Sequence, residues 1–169
     1  MARQTKIGVN LDGLKKIVGD LQDYRAHVGV LGSSGKNGRA DEDSESAGLT
    51  NAEIGAIHEF GTESIPPRSF LRMPIEEKKG TIVKKLSNSQ TFKTHIEAGD
   101  IGKAVETVGV LGEEVIQQAF ETKGFGQWPE KAPATKAHSK NPEQPLIEST
   151  QLRKSITSEA KRKQGSEHA

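Results

Sequence analysis

The chain has 169 residues, 32% of them hydrophobic and 28% charged, with a formal net charge of +1 and no cysteine. The length fits a single domain, and the near-neutral charge lacks the clustered positive footprint that nucleic-acid binding requires. Without cysteine there can be no disulfide, thiolate metal site or cysteine nucleophile.

Only 4% of the residues are aromatic, so the core is thin for the length. Such a composition predicts long loops, extended arms, or apolar surface completed by partner subunits. No apolar run approaches the ~20 residues that span a bilayer. The opening Met1-Ala2-Arg3-Gln4-Thr5-Lys6 lacks the apolar stretch of a signal peptide. The expectation is therefore a soluble chain with no membrane partner. Local basic clusters, Lys78-Lys79, Lys84-Lys85 and Lys161-Arg162-Lys163, read as solvated faces and a solvated tail.

Leu11, Leu14, Ile17, Val18 and Leu21 recur at helical spacing, with Asn10 as a plausible cap, and predict an amphipathic helix over 11–23. Residues 25–31 are short, partly β-branched and closed by Gly32, the pattern of a strand. Residues 32–48 have no hydrophobic period and turn acidic at Asp41-Glu42-Asp43, which reads as a mobile loop. Thr50 or Asn51 can cap a second helix over 52–60, with Ile54, Ile57 and Phe60 on one face and Gly61 ending it. Pro66-Pro67 then imposes an extended stretch. From Pro74 a long helical tract begins, weakens around Ser87-Asn88-Ser89, breaks near Gly99-Asp100 and resumes cleanly from Ile101 to Phe120. Gly124 to Pro129 is turn-rich, and residues 133–145 look irregular. Leu152, Ser155 and Ile156 enter a last helical turn or strand, and the polar residues 159–169 read as a flexible tail. The fold class that follows is α+β: a small antiparallel sheet packed by two or more long helices, with extended loops or arms, in one domain over 1–158.

The catalytic inventory is poor. Gly32 to Gly38 holds a lysine but lacks the spacing that cradles phosphates. None of the five histidines pairs at the i, i+4 spacing of a helical metal site, and no serine sits in Gly-x-Ser-x-Gly. The acidic run at 41–43 lacks the fixed glycine and distal glutamate of a calcium loop. Only the adjacent pair His58-Glu59 offers an enzyme reading, and a boundary histidine on a packed helix explains it more simply. No catalytic residue, metal ligand or cofactor is expected.

Three separated segments resemble one phage family. Ala52-Glu53-Ile54-Gly55-Ala56-Ile57-His58-Glu59-Phe60-Gly61-Thr62, followed by Ile65-Pro66-Pro67-Arg68-Ser69-Phe70-Leu71-Arg72, looks like "A-x-I-A-x-x-x-E-F-G-T … I-P-x-R-P-F-L-R". Trp128-Pro129 and Ala132-Pro133-Ala134-Thr135-Lys136 are similar to its "P-x-x-x-P-x-T-x-x-x-K" loop. Pro145-Leu146-Ile147-Glu148-Ser149-Thr150-Gln151-Leu152-Arg153-Lys154-Ser155-Ile156 resembles "P-L-I-D-T-G-x-L-x-x-S-I". The family is that of phage neck and tail-completion proteins of the virion-morphogenesis type, and the resemblance spans most of residues 11–158. Three departures stand out: Ser69 replaces the second proline, Ser149-Thr150 replaces Thr-Gly, and no aromatic strand residue closes the segment after Ile156.

The resemblance implies a structural, non-enzymatic virion subunit, assembled in the host cytoplasm, that forms a ring at the head–tail junction. The implied partners are other copies of the chain, as a hexamer or dodecamer, portal, adaptor or head-closure proteins on one side, and tail tube or terminator proteins on the other. The genome would pass through the ring without sequence-specific contact. A tail terminator capping the tube, or less directly a small nucleic-acid-binding module, are the alternative readings. The residues singled out for the interface are Arg68, Phe70, Leu71, Arg72, Trp128, Leu146, Ile147 and Leu152. An aromatic anchor between arginines is a common interface composition, and for Arg68 and Arg72 interface and ordinary surface both stay open. Phe60 is read as core, and Trp128 as packing on its own domain or plugging a neighbour's groove. The segments 32–48 and 128–145 are the candidate arms.

Overall fold

The computed structural model describes residues 11–31, 48–146 and 150–163. The apolar period at the start does form a helix, α1, Leu11–Gln22, which packs on a later helix and on the strand that follows. None of its residues is buried. The strand, β1, Tyr24–Val30, follows after Asp23 alone. The expected loop over 32–48 lies outside the described residues up to position 47.

Thr50 opens α2, Asn51–Phe60, with a capping box: its hydroxyl accepts from Glu53 N, and the Glu53 carboxylate accepts from Thr50 N at 2.8 Å. The two ends thus satisfy donors that the first helical turn leaves free. Gly61 closes the helix, donating to Ile57 O at 2.8 Å with φ of 76°. A side chain there would place its Cβ 2.8 Å from Ile65 O, so the sharp exit requires glycine. The chain then doubles back along α2, where Arg68 N donates to His58 O at 2.7 Å.

Helix α3, Arg72–Asn88, starts two residues before Pro74, which sits in its first turn. The tract read as one helix up to Gly99 is in fact two. Ser89 ends α3 and caps α4, Gln90–Glu97, by accepting from Phe92 N at 3.2 Å. Asp100 in turn caps α5, Ile101–Glu121, the longest helix. Part of the stretch read as irregular is helical, because Pro133 fits a first turn and starts α6, Pro133–His138. The chain closes through α7, Gln151–Lys154, and β2, Ile156–Arg162.

β2 overturns the expectation of a flexible tail from residue 159. It pairs antiparallel with β1 along its whole length, from Val30↔Ile156 to Tyr24↔Arg162. Beyond the ladder, Lys163 N donates to Asp23 O at 2.7 Å and Arg162 reaches the Asp23 carboxylate at 3.3 Å. Local sequence cannot show this pairing, since the polar residues 159–162 are held by a partner strand more than a hundred positions away.

The architecture is thus α+β, with helices dominating one two-stranded antiparallel sheet. An isolated pair of strands is marginal in water, and α5 supplies the second layer by lying across both. Close approach is possible because α5 presents glycines to the sheet: a Cβ on Gly109 would sit 2.8 Å from Ser158 Cβ. The core joins Ile54, Phe70, Ile116, Ala119, Phe120, Trp128, Leu152 and Ile156. Its rings stack by their edges, Phe70 on Phe120 at 5.5 Å and Phe120 on Trp128 at 5.6 Å.

Candidate interaction site

The segments that carry the family resemblance converge on this core, and Glu59 is where they are fastened. Leu71, the residue before α3, offers no side chain to cap that helix. Glu59 of α2 takes over the task from outside. Although 4% exposed, it accepts five hydrogen bonds: from Ser69 Oγ at 2.7 Å, from the backbone N–H groups of Phe70, Leu71 and Arg72, and from Arg72 Nε at 3.0 Å. Ser69 Oγ then accepts from Met73 N at 3.0 Å. A buried carboxylate at a helix N-terminus meets both free N–H donors and the positive end of the helix dipole. Burial by itself raises the pKa of Glu59, but the hydrogen bonds from Leu71, Ser69 and Arg72 more than offset it and hold the group below the ordinary carboxylate value. Both oxygens are committed to residues 69–72, so the His58-Glu59 pair offers no open carboxylate to a substrate.

A second fastening ties this segment to the loop after α5. Arg68, only 7% exposed, donates from Nε to Pro129 O at 2.8 Å and from Nη2 to Glu130 O at 2.7 Å. Burial pushes its pKa down from the ordinary arginine value. Trp128 Nε1 donates back to Ser69 O at 3.1 Å. The loop onward is held by its own lysines, Lys131 on Ser139 Oγ at 2.6 Å and Lys136 on Glu130 at 2.8 Å. Trp128 to Glu130 is fastened to the body, and from Lys131 to Asn141 the loop is held by contacts within itself.

These contacts bury four of the eight residues expected at the interface. Phe70, Trp128 and Leu152 are core residues and Arg68 is a buried clamp, so none presents its side chain to a partner. Leu71 and Leu146 are half-buried against the core. Ile147 lies outside the described residues. Of the set, Arg72 keeps an exposed side chain. Phe60, expected in the core, is 66% exposed, and the Arg72 guanidinium lies 4.9 Å above its ring. The reason is that α2 buries Asn51, Ile54, Gly55 and Glu59, a face chosen by polar contacts and close packing, which turns Phe60 outward.

The exposed side of α2 borders an open groove of about 260 Å³, lined by Ala52, Ala56, Phe60, Leu71 and Arg72 and reaching Val30 at the end of β1. A wider open groove of about 380 Å³ lies between α4 and α5, with His95, Lys103, Glu106 and Val110 on its walls and no paired nucleophile and base. Among the described residues no group of three potential ligands could hold a metal ion, and no helix is long and apolar enough to cross a membrane. The chemistry on offer is that of an apolar contact surface with a cationic rim. Compared with models of known protein families, with curated proteins and with solved structures, the chain matches none.

Proposed function

We propose that this chain is a structural subunit of a tailed bacteriophage virion, one copy in a ring at the head–tail junction that joins connector and tail. The observation that carries the reading is the convergence of the three family-like segments. Glu59, Arg68 and Phe70 of the first, Trp128 and Pro129 of the second, and Leu152 and Ile156 of the third meet in one fastened core. On this reading the resemblance lies in a scaffold that sets the shape of the subunit, and the partner contacts lie on the surfaces around it.

The surfaces support the same view. Leu11, Leu14, Val18, Phe60, Val83 and Val110 are all exposed. For a chain with so thin a core, this much apolar surface suits a subunit completed by neighbours. Heterologous contacts close into a ring when their rotation divides the circle.

Electron microscopy of the purified chain tests the proposal. Closed rings of uniform diameter around a central channel are the expected result. Separate particles of single-chain size, in a preparation that binds duplex DNA with steep salt dependence, would replace this reading with the nucleic-acid module.

A further inference from the structure

The sheet has an edge that this chain leaves open. Strand β2, Ile156–Arg162, pairs with β1 on one side and rests one face on α5. On its other side, residues 156–161 make no further backbone hydrogen bond among the described residues. Seven residues without a proline are a template for another strand, and two strands alone are a marginal sheet. Side chains alternate between the two faces. Val28 and Ser158 approach glycines of α5, so Arg25, His27, Thr157, Glu159 and Lys161 lie on the opposite, outer face.

Charge identifies the strand that fits. Arg25 and Lys161 stand directly opposite each other in the ladder, and like charges so placed are destabilising. Lys161 meets Glu159 of its own strand at 2.6 Å, but an ion pair between exposed side chains contributes little. Lys161 therefore has room for a negative charge on its open side. β2 itself carries one, and Glu159-Ala160-Lys161 is its own complement when read antiparallel. Centred on Ala160, two β2 strands set Glu159 of each against Lys161 of the other. Lys163 then falls opposite Thr157, and Arg162, already on the Asp23 carboxylate, opposite Ser158. No like charges are directly opposed across this seam. Centring on Glu159 or on Lys161 would oppose that residue to its own copy, and centring on Ser158 would give Lys161 only Ser155.

We propose that the β2 strands of two copies pair antiparallel about Ala160 and join their sheets into one of four strands, in the order β1-β2-β2-β1. The two edges exchange main-chain hydrogen bonds. Both α5 helices stay on one side, and the outer row reads Arg25 and Lys161, then Glu159 and His27 of the second copy. The same patch serves both copies, so the contact is isologous and closes on itself as a dimer. It goes beyond the ring reading and stands apart from it: in a ring assembly it joins subunits in pairs, and without a ring it still makes a dimer.

The absence of cysteine makes a clean test, because an engineered pair has no background. Glu159→Cys is made in one preparation and Lys161→Cys in another. Mixed under mild oxidation, they are expected to give a disulfide-linked dimer that neither forms alone. Glu159→Cys linking to itself instead would overturn the register. Analytical ultracentrifugation of the unlinked protein is the second readout. Glu159→Lys turns both cross-strand attractions into repulsions and is expected to weaken the dimer roughly tenfold, with an unchanged circular dichroism spectrum. Adding Lys161→Glu restores the complement and is expected to restore the dimer. A wild type that stays monomeric, undiminished association of Glu159→Lys, or a double variant no tighter than the single would overturn the contact. Rings that form without the link would overturn the contact and leave the ring reading standing. A linked dimer that assembles no further would support the contact and count against the ring.

Discussion

Removing the Glu59 carboxylate should destabilise the whole fold, because three successive backbone N–H groups at the start of α3, those of Phe70, Leu71 and Arg72, donate to it. The five donors on its two oxygens stand at 2.7 to 3.2 Å. A hydrogen bond to an ionised group contributes a net ~1.5–3 kcal/mol, and bonds that share one acceptor do not add independently. Glu59→Ala leaves several of these donors unpaired in a buried setting, and the expected loss is about 3–5 kcal/mol, the range for breaking a buried charged cluster. That is a large share of the ~5–15 kcal/mol that holds a typical domain. Glu59→Gln keeps the shape but sets an amide NH₂ against N–H donors, and should lose about 2–3 kcal/mol. Trp128, the only tryptophan and 7% exposed, supplies the assay, since its fluorescence shifts when urea unfolds the core around it. If both variants unfold within ~1 kcal/mol of the wild type, the reasoning about the clasp is wrong. The pH dependence gives a second check. The folded pKa of Glu59 lies below its ordinary 4.5, so as pH falls the unfolded chain takes up the proton first. The contribution is complete above about pH 4.5 and is lost as pH falls through the lower folded value. The wild type should lose stability across that window, and Glu59→Gln should lose less.

Arg68→Lys should cost about 2–3 kcal/mol in the same urea assay. A lysine cannot serve Pro129 O and Glu130 O together with a planar fork, and its ammonium is left buried with one of the two carbonyls unpaired. Gly109→Ala should destabilise by about 1–3 kcal/mol despite the better helix propensity of alanine, because the new methyl would meet Ser158 Cβ at 2.8 Å. Thermal unfolding followed by circular dichroism would register either loss. Phe60→Ala should leave the midpoint within about 0.5 kcal/mol, because the ring is exposed, and a large drop would return Phe60 to the core.

Elements with a clear apolar period were legible in the sequence. α1, α2 and α5 follow from residues spaced three and four apart, and Thr50 announces its helix through Glu53 three positions on. What stayed hidden depends on distant partners. Nothing near residues 159–162 signals that β1 will pair with them. Nothing near Glu59 signals that it will be buried, since hydrophobic periodicity weighs carboxylates as surface, and its burial is decided by donors ten to thirteen residues ahead. The sequence reading put Phe60 in the core and Phe70 at an interface, and the structure buries Phe70 and exposes Phe60. Arg68 failed likewise, as an interface arginine and a buried clamp look alike until their acceptors are known. The cue available was that Glu59, Arg68 and Phe70 all lie in the segment with the family resemblance, which here marks a structural fastening.

The central claim is that copies of this chain assemble with one another into a closed ring. Native mass spectrometry of the purified chain, taken across a range of concentrations, tests it most directly. One dominant species at six or twelve times the chain mass is the expected result. A chain that stays monomeric at every concentration, and also fails to assemble when mixed with phage connector or tail proteins, would contradict it.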